Sequence, residues 1–425
     1  MNENGRKTYN YNKSMELFEK AATLIPGGIY GHMSPTAMVP GEYPYYTAEA
    51  KGCRYKDIDG NEFIDYMCAY GPMILGYGNP VIDGAAEAQR KLADTTNHPG
   101  PVMVELAEKL VDMVPIADWA FFAKNGGDMT TYATLAARAH TNRKKVITVR
   151  GHYHGVAPWC TSYGHGGITA EDRQNILQVE WNDLDGFQQI VKGNRGEIAA
   201  FIAMPYHHIT FGKQELPAEG YWEGVEKICR EEGIVLILDD VRAGFRLSLG
   251  GSNEYFGFKP DLICFSKAMG NGYPISACVG KKDLMTAASK VFFTGSFWMS
   301  AEPMAAALAT LKELENTEAV KKMEKMGQLL IDGLVEIGQR HGLEISPSGP
   351  PAIPFIHFCD DPSLYINQLF CSEVTKRGSF FHPHHNWFLS AVHDEKDIRE
   401  TLNHAEEAMK AVKSALDGKS PCLAV

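Results

Sequence analysis

Two side chains in this sequence stand where chemistry is expected. Asp239 closes the apolar run Ile234-Val-Leu-Ile-Leu-Asp-Asp240, and Lys267 follows Leu262-Ile-Cys-Phe-Ser266. Each run is short, dense in β-formers and ended by polar residues, the pattern of a parallel strand buried on both faces. The interval between them has room for one crossover between neighbouring strands. Both groups should then emerge together at the carboxyl edge of one sheet, where open α/β folds place their ligands. A lysine amine condenses with an aldehyde, and an ionised aspartate keeps a pyridine nitrogen protonated so that the ring accepts electrons. The pair suits pyridoxal 5'-phosphate.

Two further segments add to this picture. Phe121-Phe-Ala-Lys-Asn125-Gly126-Gly127-Asp128-Met129 runs from a strand through two glycines into the helical stretch Thr130 to His140. Bare amides at such a helix start bind anions, and glycine lets a phosphate come close. Gly151-His-Tyr153-His-Gly155 again follows a strand, and a flat Tyr153 at this edge can stack on a heteroaromatic ring. His-x-His here has no third ligand of suitable spacing, and His382-Pro-His384-His385 further on, three histidines on a proline-bearing turn, suits the lining of an entrance equally well; both are metal decoys, and no metal is expected.

These residues need a scaffold. The chain has 425 residues, 44% apolar and 22% charged, enough for two packed units and unlike a disordered chain. Lys and Arg number 41 against 52 Asp and Glu, a net charge of −11 with the signs interspersed, which excludes a nucleic-acid footprint. The nine cysteines lack paired spacing, and Cys264 and Cys278 fall inside apolar runs where reduced thiols pack. The polar start has no apolar signal core, and no stretch reaches the ~20 apolar residues of a membrane span. A cytoplasmic protein that does not engage membranes is expected.

Periodicity predicts a helix over Ser14 to Leu24, an antiparallel meander over Tyr43 to Tyr66, and strands at Trp119–Ala123, Lys145–Val149, Ile198–Met204, Ile234–Asp239 and Leu262–Ser266. Alternation with amphipathic segments predicts an α/β fold, a mainly parallel sheet flanked by helices. Ala301 to Gly342 reads as long helix broken near Asn316-Thr317, and Asp397 to Leu416 as a closing helix. Ile353–Phe358 and Ser379–Phe381 read as strands of a smaller α+β unit built from both chain ends. The expected division is 1–70, an amino-terminal segment of the small unit; 71–300, a large cofactor-binding domain; and 301–425, the carboxyl-terminal small domain.

Together these pieces resemble the class III aminotransferases of fold type I, in the branch similar to glutamate-1-semialdehyde aminomutase. The resemblance spans nearly the whole chain, from Leu24-Ile-Pro-Gly-Gly28 through Gly52-Cys-Arg-Tyr-Lys-Asp-Ile-Asp-Gly-Asn-Glu-Phe-Ile-Asp-Tyr66 to Phe388-Leu-Ser-Ala-Val-His-Asp-Glu-Lys-Asp-Ile398. Its most specific part is Asp239-Asp-Val-Arg-Ala-Gly-Phe-Arg246 followed by Pro260-Asp-Leu and Ser266-Lys267. The resemblance implies that Lys267 holds the cofactor covalently and moves the substrate proton, that Asp239 holds the ring nitrogen, and that Val241 and Tyr153 cover the two ring faces. Asn125, Gly126 and Gly127 match the phosphate turn. Ser296, or else Thr294, in Thr294-Gly-Ser-Phe-Trp298 matches the hydroxyl residue that the partner subunit contributes, which implies a homodimer with a shared site.

The chain departs from the family pattern at named places. The phosphate turn, usually Ser-Gly-Thr/Ser-Glu, is Asn125-Gly-Gly-Asp128, and Asp-Glu-Val has become Asp239-Asp-Val241. Aminomutase-like relatives often place an arginine shortly after Pro-Gly-Gly; here Ile29-Tyr-Gly-His-Met-Ser-Pro35 has none, so another group must hold any substrate carboxylate. Tyr30, His32, Arg242 and His384 are the candidates to meet substrate. The expected reaction moves an amino group from an amine or amino acid to a carbonyl acceptor, and the missing arginine with a mouth bearing aromatics and methionine points to an acceptor with apolar bulk. An aminomutase or an amino-acid racemase would reuse Lys267. Outside this chemistry, a catalytically silent nucleotide-binding module fits the α/β pattern alone, but no Gly-x-Gly-x-x-Gly follows an early strand.

Overall fold

The computed structural model describes residues 9–31, 34, 38–161 and 164–418. In chain order, helix α1 (Asn12–Ala22) precedes strands β1 (Thr47–Lys51), β2 (Arg54–Asp57) and β3 (Glu62–Asp65). Helices α2 (Pro80–Leu92) and α3 (Val102–Met113) lead to β4 (Trp119–Ala123), α4 (Gly126–Thr141), β5 (Lys145–Val149), β6 (Ile176–Val179), α5 (Leu184–Gly193) and β7 (Ile198–Ala203). Then come α6 (Tyr221–Glu232), β8 (Val235–Asp239), α7 (Ser252–Phe256), β9 (Leu262–Phe265), β10 (Ser276–Gly280) and α8 (Lys282–Ala288). The remainder is α9 (Ala301–Asn316), α10 (Ala319–Arg340), β11 (Ile345–Ser348), β12 (Phe355–Phe358), α11 (Tyr365–Thr375), β13 (Ser379–Phe380) and α12 (Glu395–Leu416).

The seven-stranded sheet has the order β4-β10-β9-β8-β7-β5-β6 and is parallel except for β10, which runs against both neighbours. The α/β architecture with its mainly parallel sheet and flanking helices is therefore as the sequence predicts. All five expected strands form. β6 and β10 complete the sheet although their sequences gave no signal. Strands β7, β8 and β9 are buried at every position, which explains their unbroken apolar composition. Helix α4 crosses one face of the sheet and buries Met129, Tyr132, Ala133, Ala136 and Ala137 against Ile202, Ile237 and Cys264. Its alanines bring the helix axis close to the strands, and Tyr132 adds a ring stacked on Phe121 at 3.9 Å.

The meander forms as β1-β2-β3, and β13 joins it parallel to β3, so residues near both chain ends share a four-stranded sheet. Helix α9 ends at Asn316, where Thr317 turns extended (φ −120°, ψ 158°), and α10 restarts at Ala319. The strand expected at Ile353–Phe358 is confined to Phe355–Phe358 and pairs with β11. The closing helix α12 starts two residues earlier than its periodicity indicates because the Asp394 side chain accepts the Lys396 and Asp397 amides and caps it.

Candidate active site

The carboxyl ends of β4, β5, β7, β8 and β9 converge on a cavity of about 650 Å³ lined by Asn125, Gly126, Tyr153, His154, Asp239 and Lys267, among others. The register of β8 and β9 pairs Asp239 with Cys264, and the lysine follows three residues on, so the two chemical groups reach one opening from adjacent strands. A larger hollow of about 830 Å³ between Glu313–Met326 and Ala391–Arg399 holds neither of these groups.

Lys267 is half-buried and sits at φ +44°, in the left-handed region that a residue with a Cβ rarely adopts. Side chains on either side of it in the chain hold the strain in place. Ser266 Oγ donates to Ile275 O at 3.0 Å, and Asn271, itself at φ +45°, accepts the Leu75 amide at 2.8 Å and donates to Gly76 O at 3.0 Å. Burial, reinforced by the Arg242 and Arg246 guanidinium charges and opposed by Asp239, pulls the Lys267 amine down to about 7. Near neutral pH it is therefore often uncharged, the form that attacks carbonyls and accepts protons.

Asp239 is 5% exposed, and its Oδ2 lies 2.6 Å from His154 Nδ1. Among the described residues its Oδ1 accepts only the Val241 amide, at 3.3 Å. One carboxylate oxygen is thus fixed and the other is left with capacity toward the cavity. His154 is itself buried, and its backbone carbonyl accepts from Thr130 Oγ1 at 2.6 Å, which locks the turn after β5 to helix α4. Sequence reasoning placed His154 only in a discarded metal pair. A histidine that follows β5, three strands before the aspartate along the chain, carries no spacing signal, so its pairing was legible only in three dimensions.

The first turn of α4 is built for close approach. The Gly126 and Gly127 amides make no hydrogen bond within the described residues, as the geometry of a helix start requires. A Cβ on Gly126 would meet both Val241 methyls at 2.7 Å, and one on Gly155 would meet Gly127 Cα at 2.6 Å. Asp128 Oδ2 accepts the Asn125 amide at 2.8 Å and closes the turn.

These features fit pyridoxal phosphate: unpartnered amides for a phosphate, a carboxylate with one oxygen available for a pyridinium, and a lysine of lowered basicity. Val241 and Tyr153 also line the cavity, Tyr153 half exposed. Of the candidate substrate residues, Arg242 lines the cavity, whereas Tyr30 is 75% exposed and not on its wall, and His384 is buried and stacked on Phe211 at 4.6 Å. His32 lies outside the described residues. Thr294 and Ser296 are exposed and do not line their own chain's cavity. Among the described residues no cluster of three or more potential metal ligands occurs.

The chain matches the model for "Aminotransferase class-III" over residues 37–346. It is 44% identical over 403 residues to the aminopentol aminotransferase of Sphingopyxis macrogoltabida, covering 95% of both chains. It is 34% identical over 409 residues to the 3-aminobutyryl-CoA aminotransferase of Cloacimonas acidaminovorans (strain Evry), covering 95% of this chain and 98% of the relative. Its fold superposes on the pyridoxal phosphate internal aldimine form of the FumI protein of Sphingopyxis sp. MTA144 with a TM-score of 0.94 and 43% identity, covering 96% and 99% of the two chains. A lysine and an aspartate at adjacent strand ends, a bare helix start beside them and these matches agree: the chain belongs to the class III aminotransferases and is an enzyme that transfers amino groups with pyridoxal phosphate.

Proposed function

We propose that Lys267 is the residue that anchors the cofactor and carries the substrate proton, and that the donor is a primary amine on an extended, largely apolar chain. The observation that carries this is the lysine of lowered basicity facing the same cavity as an aspartate tied to His154. Bound pyridoxal phosphate supplies an aldehyde for amines and a protonated ring that withdraws electrons from the carbon bearing the amino group. Asn125, Gly126 and Gly127 would hold its phosphate, Val241 and Tyr153 its ring, and Asp239 the proton on its ring nitrogen. His154 keeps the Asp239 carboxylate oriented. Lys267 Nζ, uncharged for part of the time at neutral pH, takes the proton from the amine-bearing carbon and returns it to a neighbouring atom.

The donor class rests on the walls and on relatives. Ala69, Tyr70, Val156, Met204 and Phe293 give the cavity apolar surface, with Val156 80% exposed at its rim. One relative is named for an aminopentol and another for 3-aminobutyryl-CoA, both compounds that carry an amine. The enzyme works as a homodimer in which Ser296 or Thr294 completes the partner's phosphate site. Phe292, Phe297 and Met299, exposed at 92%, 66% and 51% around those hydroxyls, support a covered surface there. The residues divide into a large cofactor-binding unit, 71–300, and a smaller one from 1–70 and 301–425. Buried cysteines that form no disulfide, such as Cys264 and Cys278, support a cytoplasmic setting.

The test is a half-reaction. Holoenzyme given a long-chain primary amine alone should convert its cofactor to pyridoxamine phosphate, and borohydride reduction before donor addition should label the peptide bearing Lys267. Label elsewhere, or a cofactor unchanged by every amine donor, defeats the assignment.

A further inference from the structure

We propose that Asp65 is a positioning residue for Lys267: its carboxylate holds a left-handed turn against the lysine side chain. This rests on the reading of Lys267 as the cofactor's anchor. Cys68, Ala69 and Tyr70 stand in succession at φ +47°, +53° and +64°, the longest such run of residues with a Cβ among the described residues. Residues other than glycine enter that region singly, because the Cβ crowds the following carbonyl. A run of three persists only where the surroundings impose it, and such strain gathers at functional sites. Here the strained residues reach the cavity, since Ala69 and Tyr70 line it. Gly71 follows at φ +109°, and a Cβ on it would meet the Phe388 ring at 3.1 Å and Lys267 Cδ at 3.6 Å, so its bare backbone lies against the lysine stem.

The imposing group is Asp65, at the end of β3 and 3% exposed. Its Oδ1 accepts the Met67 amide at 2.8 Å, and its Oδ2 accepts the Cys68 amide at 3.1 Å and the Tyr77 hydroxyl at 2.7 Å. Both amides lie at the entry of the turn, so the carboxylate fixes the direction in which the chain leaves the strand. The same segment seats Phe388, whose amide donates to Tyr66 O at 2.7 Å and whose carbonyl accepts from Cys68 Sγ at 3.5 Å. Arg246 lies over that ring, 5.0 Å from its centroid. Beyond Gly71 the chain is tied to the turn that carries the lysine: Asn271 holds Leu75 and Gly76, and a Cβ on Gly272 would meet Met73 Sδ at 2.8 Å. Asp65 thus reaches Lys267 through packed backbone. The charged or titratable groups that face the amine are Asp239 of β8, Arg242 and Arg246 after it, and His385 ahead of α12, while burial does most to lower its basicity. Loosening the turn removes part of that cover.

The experiment finds, in apoprotein, the pH at which Lys267 is half trapped by a neutral aldehyde and cyanoborohydride, read by peptide mapping in wild type, D65N, Y77F and D394A. D65N keeps the size of the side chain but turns an N–H2 toward one of the two backbone amides. Its midpoint should rise by about one pH unit as water reaches the amine, so that trapping at pH 7 falls about five-fold. Y77F leaves both amide bonds in place; it should move the midpoint the same way by less, and it carries the test if D65N does not fold. D394A removes the cap of α12, off the cavity wall, and should lower Tm while the midpoint stays. In holoenzyme saturated with an amine donor, the first-order rate of the half-reaction should fall roughly 10- to 100-fold in D65N, the effect of a misplaced reacting group. A lowered Tm with an unmoved midpoint would leave Asp65 a role in folding alone. A lowered midpoint would mean that its charge acts through space, since losing a nearby negative charge makes a lysine less basic. Either result overturns the proposal. If borohydride labels another lysine in wild-type holoenzyme, the reading of Lys267 fails first and takes this role of Asp65 with it.

Discussion

At the residue scale, the environment of one amine sets a measurable pH window. The Lys267 amine is pulled from 10.5 to about 7, chiefly by burial. In the apoprotein its trapping by a neutral aldehyde and cyanoborohydride should rise with pH and level off just above 7, while exposed lysines keep rising toward their ordinary value; peptide mapping reads both. The linkage has a definite sign. Because the folded pKa is the lower one, the unfolded chain binds more protons between 7 and 10.5, so apoprotein stability gains with pH across that interval, and the penalty is at its full size below it. K267M removes the penalty, so its advantage in Tm over wild-type apoprotein should be largest below pH 7 and fade toward 10.5. A second outcome concerns His154. H154L strips the 2.6 Å partner from a buried carboxylate and should cost about 2–3 kcal/mol of transition-state stabilisation, roughly 100-fold in kcat, while borohydride still labels Lys267. Loss of the label along with the activity would show that the histidine serves folding instead. Lys267 and Asp239 were legible because each closes a dense apolar run. Their partner was not, since a pairing between β5 and β8 has no footprint in local spacing.

At the scale of elements, the site depends on how closely a helix start, a strand end and a turn can approach. Gly126 permits Val241 to lie against the first turn of α4, and Gly155, at φ +115°, passes over Gly127. G126A pushes a methyl into the Val241 side chain at 2.7 Å, and G155A adds a Cβ both against backbone and in a left-handed conformation. Each should weaken pyridoxal phosphate binding at least about 10-fold, and G155A should also lower stability by on the order of 1–3 kcal/mol. Fluorescence titration of the cofactor and thermal melts of the apoprotein separate the two effects; cofactor affinity untouched in G126A would refute the role of this packing. The same close packing explains which strands the sequence hid. β10, Ser276-Ala-Cys-Val-Gly280, is buried throughout yet small, because a Cβ at Gly280 would strike Leu262 at 2.4 Å and Trp119 at 2.6 Å. Small residues squeezed between two strands lose the β-branched signature that marked β8 and β9. β6, an edge strand half-buried over most of its length, lacks a consistent face for any pattern to record.

At the scale of the molecule, the residues matched to the phosphate hydroxyl are outside their own cavity. Thr294 and Ser296 are exposed in a segment whose Phe292 and Phe297 rings also face outward, an arrangement that is costly in water and sensible if a second chain covers it. The motif was readable in sequence from its resemblance alone, since neither the Thr294 nor the Ser296 hydroxyl makes a hydrogen bond among the described residues. A shared site has a consequence that a self-contained one lacks. K267A and T294E/S296E should each be inactive as pure dimers, the first without its amine and the second with carboxylates repelling the partner's phosphate. In a hybrid of the two, one site takes its lysine from the second chain and its intact hydroxyls from the first, while the other site carries both defects. Equal co-expression should therefore restore about a quarter of wild-type activity, from half the dimers bearing one good site each. Sedimentation must show that both variants remain dimeric. Dimeric hybrids with no recovered activity would mean that each chain builds its phosphate site alone, and the exposed hydroxyls would then have no part in it.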